Sequence, residues 1–144
     1  MVSVKGSSGK SVNVQILGIG GVVGMLRSKG QDITRGADLG VAKAGAYIVD
    51  EVKESIIGNR AEHKSVDTGT FANSIEFKKT GEAQGVVEPA LKIYPGGQTT
   101  KEIALLMEYS KSISAGPRRH FGNTKIRNQE TVKDIIKKEI KSII

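Results

Sequence analysis

Chemistry in this sequence would have to come from two histidines, His63 and His120, from the carboxylate-bearing turn "VDTGT" at residues 66–70, and from two glycine-rich stretches. Cysteine is absent, which removes disulfides, thiolate metal ligands and a cysteine nucleophile together. Metal binding or acid–base work by either histidine needs it to meet Glu62 or Asp67 in space, and no pairing on successive helical turns enforces such a meeting. The stretch "GIGGVVG" has glycines that would let a backbone approach a pyrophosphate, but the third belongs at Val23 and stands at Gly24, and no acidic strand end follows for a ribose. It reads as a tight turn. "GSSGKS" lacks the four-residue gap of a phosphate loop, and no strand precedes it. No catalytic residue, cofactor site or metal site is therefore expected.

Asp67 has a physical role without catalysis. Asp followed by Thr68 and Gly69 favours a turn in which the carboxylate accepts backbone N–H bonds two or three residues on, while Gly69 permits a positive φ. The following Thr70 to Ser74 stretch can start a helical turn capped by Asp67 or Thr68. This corner is expected to set the angle between a long helix and a sheet.

The elements that must hold these residues follow from periodicity. Residues 1–11 carry Gly6, Ser7, Ser8 and Gly9 and are expected to form a flexible arm, with residues 12–144 making one α+β domain. Val12, Val14 and Ile16 alternate as a half-buried strand does, and "VVGMLRSKG" reads as a short helix ending at Gly30. From about Asp32 to Ile57, the apolar stripe Val41, Ala44, Ile48, Val52 and Ile56 predicts a long helix, ended by Gly58. Its first half holds Gly36, Gly40 and Gly45, which allow another backbone to come close. "SIEFKK" reads as a strand, and "GVVEPALKIYP" as a second one, bent or at an edge because of Pro89. Thr99 or Thr100 opens a helix with Ile103, Leu106 and Met107 on one face; "SISAGPRRHFGN" is loop. A last helix from about Thr124 carries Val132, Ile136, Ile140 and Ile143. The fold class expected is α+β: a small, mostly antiparallel sheet on one long helix, with further helices in the C-terminal half.

With three Phe, three Tyr and no Trp, the core must be built from Ile, Val, Leu and Ala, and extra burial against other subunits would help. Of the net charge of +7, residues 111–144 carry +6, nine Lys or Arg against three acids. Such a tail attracts nucleic acid or an acidic protein surface, although a solvated helix face has the same composition. No run of eighteen apolar residues is present to span a bilayer, so no membrane partner is expected.

Two blocks also carry a family likeness. "SVDTGTFANSIEFKK" resembles the signature of VDTG, Leu or Phe, several residues and Ser-Ile found in tail-completion or head–tail joining proteins of tailed bacteriophages. "IALLMEYSKSISAGPRRHFGNTKI" resembles that family's Val-Glu-Tyr-Gly-Thr, Pro-rich loop, Pro-Phe-Leu and final helix. Ser110 and Lys111 replace the usual Gly-Thr, Ser65 stands where proline is common, and His120-Phe121 represents the proline–phenylalanine pair. The resemblance implies a virion protein of the neck, assembled in a bacterial cytoplasm and forming a ring, commonly sixfold. Its partners would be copies of itself, adjacent connector, tail-terminator or tail-tube proteins, and DNA passing through the channel. Contacts between subunits or rings are expected at Glu108, Tyr109, Lys111, Pro117, Arg118, Arg119, His120 and Phe121.

Overall fold

A computed structural model of the chain describes residues 2–6, 12–18, 31–65, 69–110 and 117–143. In order these form β1 (Val2–Gly6), β2 (Val12–Leu17), α1 (Gln31–Ile56), α2 (Thr70–Asn73), β3 (Ile75–Gly81), β4 (Gln84–Pro89), α3 (Thr100–Tyr109) and α4 (His120–Ile143). The strands make one antiparallel sheet in the order β1-β2-β4-β3, and the fold is α+β as expected. The helix expected over "VVGMLRSKG", the side chains of Asp67 and Thr68, and Lys111 lie outside the described residues.

Alternation builds one face of the sheet. Val14 lies opposite Val87, and Phe77 opposite Val87 on the other side, so Val12, Val14, Ile16, Val87, Ile75 and Phe77 point the same way. Against that face α1 lays its stripe: Val41, Ala44, Ile48, Val52 and Ile56 are all buried. Each Ile or Val so buried contributes about 1.5–3 kcal/mol relative to exposure. The Phe77 ring is slotted between two glycines, since a Cβ at Gly45 or at Gly85 would lie 2.2 or 2.4 Å from it.

α1 packs antiparallel on α4, and the glycines explain how closely. A Cβ at Gly36 would stand 2.8 Å from the Ile140 Cα, and one at Gly40 the same distance from the Ile136 Cα. The approaching backbone that the small residues permit is thus α4 of the same chain. Beside this seam the Tyr47 hydroxyl donates to Asn128 Oδ1 at 2.8 Å, and Asn128 Nδ2 donates back to the Thr124 carbonyl at 2.9 Å.

α1 stops as its sequence predicts. Gly58 has φ +92°, its N–H bonds the Ser55 carbonyl, and the Asn59 N–H bonds the Glu54 carbonyl, the paired bonds of a left-handed helix stop. α3 opens on Thr99, whose side chain accepts from the Glu102 N–H while the Glu102 carboxylate accepts from the Thr99 N–H.

Several expectations are corrected. Residues 2–6, read as part of a flexible arm, form β1 paired on β2. β4 is not an edge: it lies between β2 and β3, and Pro89 is its last residue, where a missing N–H costs no interior ladder bond. Beyond Pro89 the alternation continues in the residues but not in burial, for Leu91 is 61% and Ile93 71% exposed. α3 is rotated from its expected face, burying Thr100, Ala104 and Glu108 while Leu106 is exposed. The helical turn α2 has Gly69 as its N-cap, which has no side chain to cap with, and the capping expected of Asp67 or Thr68 lies outside the described residues. α4 begins at His120, one turn before Thr124, because a carboxylate from α3 caps it.

Candidate functional site

The most concentrated polar chemistry among the described residues is a buried junction where the end of α1, the chain after it, the end of α3 and the start of α4 meet. After the Gly58 stop the chain folds back along α1, held by the Ser65 N–H on the Ile56 carbonyl at 2.8 Å. This return brings Glu62 under the first turns of α4. The Glu62 carboxylate accepts from Arg127 Nη1 at 2.8 Å, Arg127 Nη2 at 3.0 Å, Asn123 Nδ2 at 3.0 Å and Ser55 Oγ at 2.5 Å. Burial would push its pKa up, but the bonds from Arg127, Ser55 and Asn123 outweigh burial and hold it at about 2.

His120 joins the same network. Ser55 Oγ gives its proton to Glu62, so it accepts from His120 Nδ1–H at 2.7 Å; the other ring nitrogen, Nε2, then accepts from the Ser65 hydroxyl at 2.7 Å. Burial pushes the imidazole down to about 4, with Arg118 and Arg127 acting in the same direction and Glu62 opposing them. A neutral ring with one donor and one acceptor nitrogen fits this chain of hydroxyls.

Glu108 supplies the other half. Its carboxyl accepts from the Phe121 N–H at 3.0 Å and the Gly122 N–H at 2.9 Å, capping the N-terminus of α4 from a neighbouring helix. Burial raises its pKa despite those two donors. Arg118 closes the junction, with its N–H on the Met107 carbonyl and Nη1 donating to the Lys64 carbonyl at 3.1 Å and Ser65 Oγ at 3.2 Å. Its Nε is buried with no hydrogen-bond partner among the described residues.

The expected site residues separate under this geometry. Glu108, His120 and Phe121, expected at a contact between subunits, are 2%, 1% and 1% exposed and serve the interior of the chain. Arg118 and Pro117 are half-buried, whereas Tyr109 and Arg119 remain on the surface. Of the turn, Gly69 has φ +85° as its position requires, and Ser74 is buried, its hydroxyl donating to the Phe71 carbonyl at 2.6 Å and its carbonyl accepting from the Ala90 N–H at 2.7 Å. Ser74 thus fastens the start of β3 to the chain leaving β4, while the part of the corner expected to set the angle between α1 and the sheet, at Asp67 and Thr68, lies outside the described residues.

His120 does meet Glu62, through Ser55, which sequence spacing did not enforce. No spacing or motif marks Ser55 or Ser65 as a hydrogen-bond partner of His120. Only the abrupt helix stop at Gly58, which obliges the next residues to fold back on α1, points toward them. Chemically, Nε2 is placed to take a proton from Ser65, but both ring nitrogens and the Ser65 oxygen are engaged within the protein, which is the arrangement of a tie. No group of three or more His, Asp or Glu residues able to hold a metal occurs among the described residues. No protein-family model matches the chain, and no curated protein or solved structure matches it significantly.

Proposed function

We propose that the chain is a structural subunit of a phage or phage-like particle, forming a ring at the neck or tail end that joins or completes head–tail attachment. One observation carries this reading: the two blocks that resemble the tail-completion family are stitched together by Ser65 on His120 and by Arg118 on Lys64 and Ser65. Residues 55 positions apart in sequence thus share one junction, as expected if both blocks serve one fold rather than two unrelated likenesses. The polar bonds of the junction turn inward, which suits a load-bearing joint better than a site that must admit a substrate. Exposed Tyr109 and Arg119 at its rim, together with exposed leucine and isoleucine elsewhere, offer surface for neighbouring copies and adjoining rings. No helix among the described residues is long and apolar enough to cross a membrane.

The test is direct. Particles purified from cells that express this protein are analysed by mass spectrometry and by electron microscopy of the neck. The reading expects the chain at a fixed small copy number in a ring; its absence from the particle overturns the reading.

A second reading, a nucleic-acid-binding module, is favoured by Lys137, Lys138 and Lys141, all exposed on α4. Titration of duplex DNA at two salt concentrations separates it. Affinity falling steeply with salt supports phosphate contacts, and no binding at low salt removes them.

A further inference from the structure

A junction that turns its polar bonds inward still holds one acyl group, its own. The peptide group between Lys64 and Ser65 is fixed on both sides. The Ser65 N–H is on the Ile56 carbonyl at 2.8 Å, and the Lys64 carbonyl oxygen accepts from Arg118 Nη1 at 3.1 Å and from His63 Nδ1 at 3.1 Å. Two donors at that distance, one of them a guanidinium, can stabilise negative charge on the oxygen as an oxyanion hole does.

The hydroxyl beside this carbonyl is already paired with a base. Ser65 Oγ lies 2.7 Å from His120 Nε2, against 3.4 Å from the His63 carbonyl and 3.5 Å from Met107 Sδ, so its proton is directed at the imidazole. Ser55 accepts from the opposite ring nitrogen while giving its own proton to Glu62, which fixes the tautomer that leaves Nε2 an acceptor. Arg118 Nη1 also reaches Ser65 Oγ, at 3.2 Å, and favours an alkoxide forming there. Nucleophile, base, base-orienting group and oxyanion donors converge on one bond. A serine hydroxyl reaches the carbonyl carbon on its N-terminal side by closing a small ring, so the two reactants are held together by the chain itself.

We propose that the junction cuts its own chain between Lys64 and Ser65 by an N-to-O acyl shift followed by hydrolysis. His120 Nε2 takes the hydroxyl proton as Oγ bonds to the Lys64 carbonyl carbon, and the oxygen of that carbonyl gathers negative charge between Arg118 and His63. The C–N bond to Ser65 then breaks, the nitrogen takes the proton back from His120, and Lys64 is left as an ester on Ser65 Oγ. Water, which reaches the exposed Lys64 and half-buried Ser65, adds to the ester. Oγ leaves as the hydroxyl, and the products are a Lys64 carboxylate and a Ser65 amine. The pieces stay together, because β2 of the first pairs with β4 of the second and α1 lies on α4. The cleavage is independent of the ring reading, which concerns where the chain is found rather than what happens to its backbone.

The experiment incubates the purified full chain near neutral pH, with and without hydroxylamine, and follows intact mass under denaturing conditions. The 15.3 kDa species is expected to give way to residues 1–64 and 65–144, faster with hydroxylamine, which traps the ester and leaves a hydroxamate on Lys64. The sequence holds no Asn-Gly pair for that reagent to cut. The rate should not depend on protein concentration or on added trypsin inhibitor. S65A, checked for wild-type helix content by circular dichroism, should show no cleavage, and H120Q should slow it by about 10²–10⁴-fold. The hydroxamate is read on the unaltered chain, so the outcome does not hang on any variant folding. A wild type that stays intact through prolonged incubation with hydroxylamine overturns the proposal. So does cleavage that the inhibitor stops, that persists in folded S65A, or that keeps its rate in folded H120Q.

Discussion

Acidification probes the junction through His120 first. Its imidazole titrates at about 4 in the folded protein against 6.5 for the ordinary side chain, so between these values the unfolded chain holds a proton that the folded one does not. Stability then falls as pH falls, by about 1.4 kcal/mol per unit and roughly 3 kcal/mol across the window. Glu62 has the same sign in a lower range: its contribution is complete above 4.5 and is lost as pH falls toward about 2, by a similar roughly 3 kcal/mol. Glu108 opposes them in mild acid, because its raised pKa makes it more stabilising protonated than ionised. Urea unfolding followed by far-ultraviolet circular dichroism across both windows reads the sum, and H120Q, which removes the titrating ring, should flatten the upper window while leaving the lower. A slope between pH 6.5 and 4 that is the same in H120Q as in the wild type would refute the buried neutral imidazole and the tie built on it.

Other substitutions test separate parts of the frame. G40A should gain up to about 1 kcal/mol of helix propensity yet lose more by overpacking, because its Cβ would meet the Ile136 Cα at 2.8 Å; a net loss of about 1–3 kcal/mol in denaturant midpoint is expected. R127A leaves Glu62 buried without its bidentate partner and should lower thermal stability by about 2–4 kcal/mol, with acid unfolding shifted to higher pH. T99A removes the α3 capping box and should cost about 1 kcal/mol, read in the same melts.

The parts legible in the sequence are those that repeat. Val41 to Ile56 along α1 and Val132 to Ile140 along α4 kept their helical period because each presents one apolar face to one core. The Gly58 stop was legible because its conformation is nearly specific to one residue type. Where polar residues take core positions, the pattern misleads: Thr100 and Glu108 define the buried face of α3, and Leu106, which hydropathy favours, is outside. The junction was hidden for a related reason. Ser55, Glu62, Ser65 and His120 belong to no apolar period that would mark them as interior, and their shared burial follows only from the chain's return after Gly58, which brings their partners within hydrogen-bond reach.

The seam between Gly36, Gly40 and the α4 backbone carries a consequence for biosynthesis. Residues 132–140 cover the seam of α1, yet they are translated about a hundred positions after it. While the ribosome is still making the intervening chain, α1 has a bare groove, and such a nascent polypeptide invites chaperones and proteases. A product that terminates before α4 would keep that groove open and would stay exposed to the same turnover for its whole lifetime.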